Sequence, residues 1–175
     1  ELSTGLKTSV LGKESVFLKT VDSTNNEVKR LAKQGASHGL VVVAEEQTKG
    51  KGRLGRQWSS PTGTGLWFSI LLKPDLDPYH IPGITLAAGL GVCKTIRQFT
   101  GCNAEIKWPN DVIIGKRKIC GILTEMSAEA DKINYVALGI GINVNTKEFP
   151  QELTKKATSL AMESGKEFSR TALLQ

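Results

Sequence analysis

The segment from Thr48 to Pro61 (TKGKGRLGRQWSSP) contains the residue types that bind phosphate groups. Glycine lets a backbone approach a ligand closely and expose its N–H groups, and lysine and arginine supply positive charge. The segment contains Gly50, Gly52, Gly55, Lys49, Lys51, Arg53 and Arg56. Its GKGRLG letters match GxGxxG, but no helix of a βαβ unit follows, and a GxxxxGK[ST] motif is absent. The composition therefore predicts an anion-binding loop, and a solvated surface loop is the alternative.

Trp58 follows this loop directly. A flat apolar ring beside an anion-binding loop can stack on a nucleotide base, whereas the alternative role is a core anchor where the next strand begins.

Two further segments carry candidate residues. In KWPNDVIIGKRKICGI (107–122), Lys107 ends one strand, Asp111 begins the next after a Trp-Pro-Asn turn, and Lys118 follows a hairpin. Two ammonium groups and a carboxylate can thus face one end of a sheet, and ordinary surface charge on two turns is the alternative. In LGIGINVN (138–145), glycines within an apolar strand indicate that something passes close to the backbone.

Composition limits the class of protein. The 175 residues carry a net charge of +6, with 39% hydrophobic and 23% charged residues, which is typical of a globular domain. We find no apolar stretch long enough to span a membrane and no signal pattern, so we expect a cytoplasmic protein that contacts no membrane. The three cysteines and two histidines lack metal-ligand spacing, and we interpret the cysteines as buried thiols.

The surrounding pattern predicts the elements that position these residues. Strands are predicted at 15–23, 39–47, 65–74, 104–108, 111–115, 118–126 and 133–145. Helices are predicted at 22–36, with a capping box at Thr24 and Glu27, at 84–99, and from 168, with Ser169 as cap. Strands joined by short turns with interspersed helices predict an α+β domain with a mixed, largely antiparallel sheet flanked by helices.

Four motifs together resemble the catalytic domain of biotin protein ligases. They are DSTN (22–25), EQTKGKGRLGRQW (46–58), KWPNDVIIGKRKICGIL (107–123) and GIGINVN (139–145), and they occur in the family's order. The resemblance covers about residues 15 to 146. It implies the biotin/lipoate ligase fold, which is related to class II aminoacyl-tRNA synthetase cores. It also implies that ATP, accompanied by magnesium, activates biotin to biotinyl-5′-adenylate, and that the biotinyl group passes to a lysine of biotin carboxyl carrier protein.

The resemblance implies a role for each matching residue. Catalytic roles are implied for Arg53, Lys107, Asp111 and Lys118, where Asp111 either coordinates magnesium or orients Lys107. Biotin binding is implied for Ser23, Thr24, Asn25, Gln47, Lys51, Gly52, Arg53, Lys118, Gly121, Ile122, Gly139 and Gly141. Adenylate binding is implied for Gly50, Gly52, Arg53, Gly55, Arg56, Trp58, Asn110 and Asn143. The sequence departs from the family's usual arginine-rich loop at Lys51 and Leu54.

Two other functions remain open at this point. A lipoate ligase or octanoyltransferase shares the fold, but it would have a different loop at 49–58. A nucleic-acid-binding module would account for the charge, but aromatic content is only 6%, and we find no RNA-binding or helix-turn-helix pattern.

The resemblance also bears on domain organisation. We expect residues 1–175 to form one catalytic domain, in which 1–14 resemble the linker after a DNA-binding domain and the C-terminal end is truncated. We therefore expect no DNA binding by this chain. Homodimers occur in the family, so a homodimer is left open.

Overall fold

The computed structural model describes residues 8–129 and 132–175 of the chain. The first half of the predicted linker, residues 1–7, lies outside the described residues. Strands comprise β1 (Ser15–Val21), β2 (Val41–Gln47), β3 (Gly65–Leu72), β4 (Ala104–Lys107), β5 (Asp111–Ile114), β6 (Arg117–Glu129) and β7 (Lys132–Asn143). Helices comprise α1 (Thr24–Lys33), α2 (Ile81–Thr100), α3 (Leu160–Ser164) and α4 (Arg170–Leu174).

The strands form a seven-stranded sheet in the order β1-β2-β3-β7-β6-β5-β4. β1 and β2 run parallel, and every other neighbouring pair is antiparallel. The predicted mixed, largely antiparallel sheet is therefore confirmed. The parallel pair is connected through α1, as a parallel connection requires.

The two longer helices pack on opposite faces of this sheet. Successive side chains of a strand point to opposite faces. Val42 and Ala137 belong to the apolar cluster that contains Val28 of α1, whereas their neighbours Val43 and Leu138 belong to the cluster that contains α2. The α1 face is the face that carries the candidate site.

The start of α1 differs from the prediction. The residue that precedes the helix is Ser23, its side chain makes no capping hydrogen bond, and Thr24 is already helical. The predicted capping box of Thr24 and Glu27 is therefore wrong, because the Thr24 hydroxyl is directed to Gln47, 3.1 Å away. The tertiary partner has replaced the local one.

The C-terminal region contains one helix that the pattern did not predict. Ser159 accepts a hydrogen bond from Met162 N at the start of α3, a helix of five residues and therefore too short to show an apolar period. The predicted cap of α4 is confirmed, since Ser169 accepts from Ala172 N.

The prediction of buried thiols is confirmed for two of the three cysteines, and Cys102 is only partly buried. Cys93 and Cys120 are buried, and none of the three forms a disulfide. Burial raises the pKa of Cys93 and that of Cys120, so both remain neutral. Within residues 8–129 and 132–175, we find no helix of the length and apolarity that a membrane span requires.

Candidate active site

One pocket on the α1 face brings most of the predicted site residues together. It is lined by Ser23, Thr24, Asn25, Gln47, Lys51, Gly52, Arg53, Trp58, Asn110, Lys118, Gly121, Ile122, Gly139 and Gly141. These residues come from five segments of the chain, so strand register decides that they meet. The predicted anion-binding loop (48–61) and Lys118 therefore line the same cavity.

The floor of the pocket is made of glycines on adjacent strands. Gly121 of β6 and Gly141 of β7 are directly paired across the sheet. A Cβ added to Gly141 would lie 2.6 Å from Trp58 Nε1, and one added to Gly121 would lie 2.9 Å from Trp58 Cζ3. Glycine is required at both positions because the indole ring rests on the backbone. For Gly141 this confirms the prediction that something passes close to the backbone of the apolar strand 138–145.

The polar wall of the pocket is a closed hydrogen-bond network at the start of α1. Gln47 Oε1 accepts from Thr24 N at 2.8 Å and from Thr24 Oγ1 at 3.1 Å. Ser69 Oγ lies 2.7 Å from Thr24 Oγ1 and 2.6 Å from Asn25 Oδ1. Thr24, Asn25 and Ser69 are at most 3% exposed. Because buried polar groups that are hydrogen-bonded to one another favour one arrangement, this wall is prearranged before any ligand enters.

Ser23 contributes a hydroxyl to this wall. The residue is 2% exposed and lines the pocket, and its side chain does not cap the helix. A pocket-lining hydroxyl that is not used as a cap is available to a polar edge of a ligand.

Asp22 anchors the same end of α1. Its carboxylate accepts hydrogen bonds from Asn26 Nδ2 and Arg30 Nη2, both at 2.7 Å. Although partial burial acts to raise the pKa of Asp22, these bonds lower it to about 2. The carboxylate is therefore ionised at neutral pH and holds the helix start in place.

The predicted anion-binding loop is a short hairpin. Gln47 bridges to Ser60 and Lys51 bridges to Gln57, and a 3-10 turn spans Arg53–Gly55. Leu54 at the tip has a positive φ of 59° and is 80% exposed.

The two arginines of this hairpin face solvent. Arg53 and Arg56 are exposed, and neither forms an ion pair within the described part of the chain. Two guanidinium groups without a protein carboxylate are available to an anionic ligand.

Lys118 connects the hairpin side to the sheet. Its Nζ lies 2.6 Å from Asp111 Oδ1 and 5.0 Å from the centroid of the Trp58 ring. Trp58 Nε1 is buried without a hydrogen-bond partner among the described residues. A buried, unpaired indole N–H and an ammonium group thus belong to the same pocket, and each is available to an acceptor on a ligand.

Several predicted residues lie outside the pocket lining. Lys107 is exposed, and it forms no ion pair with Asp111 in the described part of the chain. The carboxylate of Asp111 is paired with Lys118 instead. Asn143 is buried, and its Nδ2 donates to the carbonyl of Thr158. Gly50, Gly55 and Arg56 belong to the hairpin but not to the lining. The ligand roles of these residues stay predictions.

Comparison with known proteins identifies the family. Residues 17–143 match the biotin/lipoate A/B protein ligase family. The chain belongs to this family.

Curated relatives of this family member carry two kinds of name. The bifunctional ligase/repressor BirA of Bacillus spizizenii is 42% identical over 177 residues, which cover 100% of this chain and 54% of that protein. The biotin–[acetyl-CoA-carboxylase] ligase of Mycobacterium tuberculosis is 35% identical over 143 residues, 79% of this chain and 51% of that protein. The chain spans about half the length of the curated relatives it matches.

Solved structures of the family share the fold. The biotin protein ligase of Aquifex aeolicus in complex with biotin and ATP superposes with a TM-score of 0.79 at 39% identity, over 93% of this chain and 66% of that one. The Leishmania major enzyme in complex with biotinyl-5-AMP gives a TM-score of 0.76 at 26% identity, over 92% of this chain and 70% of that one.

Sequence patterns missed some residues of this ligase-family pocket. Phe68, Leu123 and Ile140 also line it, and Ser69 and Glu125 contact Asn25. These residues lie in strands whose patterns predict only alternation of apolar and polar faces. Their contacts depend on the register between strands and α1, which no local signal reports.

Proposed function

We propose that the chain carries the activity of a biotin protein ligase: ATP-dependent formation of biotinyl-5′-adenylate, followed by transfer of the biotinyl group to a lysine of biotin carboxyl carrier protein. The observation that carries this proposal is one pocket whose lining joins a buried polar wall, Lys118 and Arg53 of the basic hairpin. Two kinds of relative within the family support it. One is a curated ligase, and the other is a solved complex with biotin and ATP.

The polar wall suits the urea edge of biotin. A urea carbonyl accepts hydrogen bonds and its N–H groups donate them. Ser23 offers a hydroxyl without a capping partner, and Asn25 presents its oxygen toward Gly139. The glycine floor and the Trp58 ring supply the apolar surface for the fused rings.

The cationic side suits the activation step. In that step an oxygen of the biotin carboxylate attacks the α-phosphorus of ATP, the bond to the bridging oxygen breaks, and pyrophosphate leaves. Because both reactants are anions, positive charge must offset their repulsion and the charge that develops. Lys118 would exchange Asp111 for the biotin carboxylate, and Arg53 and Arg56 would pair with the phosphates.

In the transfer step the amine of the carrier lysine attacks the acyl carbon of the adenylate. The carbon–oxygen bond to AMP breaks, AMP leaves with the bonding electrons, and the amine loses a proton. The hairpin closed over the adenylate would exclude water from this reactive anhydride.

Magnesium is proposed only as a companion of ATP. The described residues contain no group of three or more His, Cys, Asp or Glu side chains that could hold a metal ion. Asp111 is ion-paired with Lys118, and a role of Asp111 as a magnesium ligand stays a prediction.

We also propose a cytoplasmic location, which the three unpaired thiols support. The carrier protein is the proposed partner, and a homodimer and the absence of DNA binding stay predictions. A salt-dependent mobility shift of DNA by this chain would contradict the last of these.

Calorimetric titration with biotin, lipoate and ATP tests the proposal. We expect this chain to bind biotin at least about 100-fold more tightly than lipoate, because unpaired urea-binding groups reject a ligand that lacks the urea. Lys118→Met should weaken biotin binding and abolish most pyrophosphate release. Tighter binding of lipoate would favour a lipoate ligase on the same fold, and binding of neither would overturn the proposal.

A further inference from the structure

Glu125 lies behind the polar wall and contacts it without lining the pocket. It belongs to β6, opposite Ala137 of β7. Its Oε2 accepts from Asn25 Nδ2 at 2.8 Å, and its Oε1 lies 2.5 Å from Lys29 Nζ and 4.0 Å from Lys51 Nζ. One carboxylate therefore contacts the side chains of α1 and of the basic hairpin.

The carboxylate determines which way round the Asn25 amide lies. A carboxylate accepts hydrogen bonds only, so the amide nitrogen must face it, and Nδ2 also lies 3.2 Å from the carbonyl oxygen of Leu123. Both amide hydrogens are thereby used, and Oδ1 faces Ser69 and Gly139. A reversed amide would place an oxygen against the carboxylate and against the Leu123 carbonyl.

The other end of the same network is held by the backbone. Gln47 Oε1 accepts the N–H of Thr24, and Gln47 Nε2 donates to Ser60 Oγ at 2.8 Å. The backbone N–H can only donate, so the orientation of Gln47 is determined without reference to Asn25. The orientation of Asn25 has no such backbone donor and depends on two acceptors that face Nδ2. They are the Leu123 carbonyl at 3.2 Å and the Glu125 carboxylate at 2.8 Å, of which the charged carboxylate is the nearer.

We propose that Glu125 is a positioning residue of this pocket: by holding the Asn25 amide in one orientation, it makes the wall present an oxygen to an N–H of the urea. The inference rests on the proposed function, because a urea is the ligand edge concerned. Glu125 acts through Asn25 and does not contact the ligand.

The charge that this role requires is present at neutral pH. Burial acts to raise the pKa of Glu125, but hydrogen bonds from Lys29 and Asn25 and the charges of Lys29 and Lys51 outweigh it, and the pKa is lowered. The carboxylate therefore remains a pure acceptor.

The Glu125→Gln variant tests this role. Glutamine has the same size, but it can turn either end of its amide toward Asn25, so only the neutral Leu123 carbonyl, 3.2 Å from Nδ2, still opposes a reversed Asn25 amide. We expect the dissociation constant for biotin to rise about tenfold, the effect of one hydrogen bond to a charged group. The rate of adenylate formation at saturating biotin should stay within about twofold, because only binding is affected.

Lys29→Gln is the matched control. It removes the hydrogen-bond donor to Oε1 of the same carboxylate and leaves the bond from Asn25 Nδ2 to Oε2 intact. If Glu125 acts through Asn25, Lys29→Gln should change the biotin dissociation constant less than about twofold. If Lys29→Gln weakens biotin binding as much as Glu125→Gln, the carboxylate acts only as an anchor for α1, and the positioning role is overturned.

A second measurement needs no ligand. Hydrogen exchange of the Asn25 side-chain amide, followed by NMR, should be slow in the unsubstituted chain and in Lys29→Gln, and faster in Glu125→Gln. Unchanged exchange in Glu125→Gln would overturn the positioning role, even if biotin binding were altered. A chain that binds no biotin would overturn the proposed function, whereas the exchange measurement still decides whether Glu125 holds Asn25.

Discussion

The two sides of the pocket are built in opposite ways. On the α1 side, Thr24, Asn25 and Ser69 are buried, and their polar atoms are bonded to one another. On the hairpin side, Arg53 and Arg56 face solvent without ion pairs in the described part of the chain, and Leu54 at the tip is 80% exposed.

This difference indicates two kinds of ligand recognition. A prearranged polar wall discriminates between ligands by leaving its groups unpaired when the wrong one enters. A set of exposed charges attracts an anion and gains most of its binding energy only after closure excludes water. We infer that the urea is selected by the wall and that the nucleotide phosphate is retained by the hairpin.

Gly139→Ala should have the largest effect, because it breaks the wall. The new Cβ would lie 2.4 Å from Asn25 Oδ1 and 3.0 Å from its Cγ. Since Asn25 is bonded on both sides, it cannot move without losing partners, and we expect biotin affinity to fall roughly 10- to 100-fold. Calorimetry measures this loss. Gly91→Ala on α2 is the control, because nothing lies within 4 Å of its added Cβ. Equal affinities of the two variants would contradict a prearranged wall.

Arg53→Ala should affect adenylate release and biotin affinity differently. We expect the variant to release biotinyl-adenylate about tenfold faster, because a charged hydrogen bond to the phosphate is lost, while biotin affinity changes by less than about threefold. A stopped-flow measurement of adenylate release, compared with biotin titration, checks the difference. If the release rate is unchanged, the hairpin does not retain the adenylate.

Low pH should lower the free energy of unfolding of the chain through protonation of Asp22, which anchors the α1 side of the pocket. Its pKa is lowered in the folded chain to about 2, so its contribution to the free energy of unfolding is complete above about pH 4, the unfolded value, and is lost as pH falls through about 2. Urea unfolding of the chain and of Asp22→Asn should therefore differ at pH 7 and converge between about pH 4 and pH 2. A difference that persists at pH 2 would show that Asp22 acts through shape and not through charge.

Leu54→Gly should have the smallest effect. The positive φ of Leu54 costs roughly 1 kcal/mol that glycine avoids, and the greater freedom of glycine in the unfolded chain offsets most of that gain. We expect stability within about 1 kcal/mol and biotin affinity within about twofold of the unsubstituted chain. A large loss of biotin affinity would mean that the hairpin tip supports the wall after all.

Much of this architecture could be predicted from local patterns. Alternating apolar residues, turn residues and the helical stripe of α1 and α2 depend on neighbours within a few positions, so the strands and both long helices were predictable. The ordered motifs also predicted most of the pocket lining, including Lys118 and the glycines of β7.

The contacts of Thr24 and Asp111 have a common physical origin. Thr24 was predicted as a cap because its local spacing to Glu27 fits one, but its hydroxyl is directed to Gln47, 23 positions away. Asp111 lies opposite Lys107 in the β4–β5 pair, but its carboxylate is paired with Lys118 across the β5–β6 hairpin, and its role toward Lys107 or magnesium stays a prediction. In both cases a partner brought close by folding competed successfully with the neighbour in sequence.

The amino-acid sequence by itself determined the elements, the positive charge of the hairpin and the family's motifs, because these depend on residue type and short spacing. The tertiary structure alone decided which polar atoms face one another. Asn25 and Glu125 are 100 positions apart, and only the packing of α1 on β6 brings the amide to the carboxylate. Hydrogen bonds require a heavy-atom distance near 3 Å and one orientation, and no pattern along the chain specifies either.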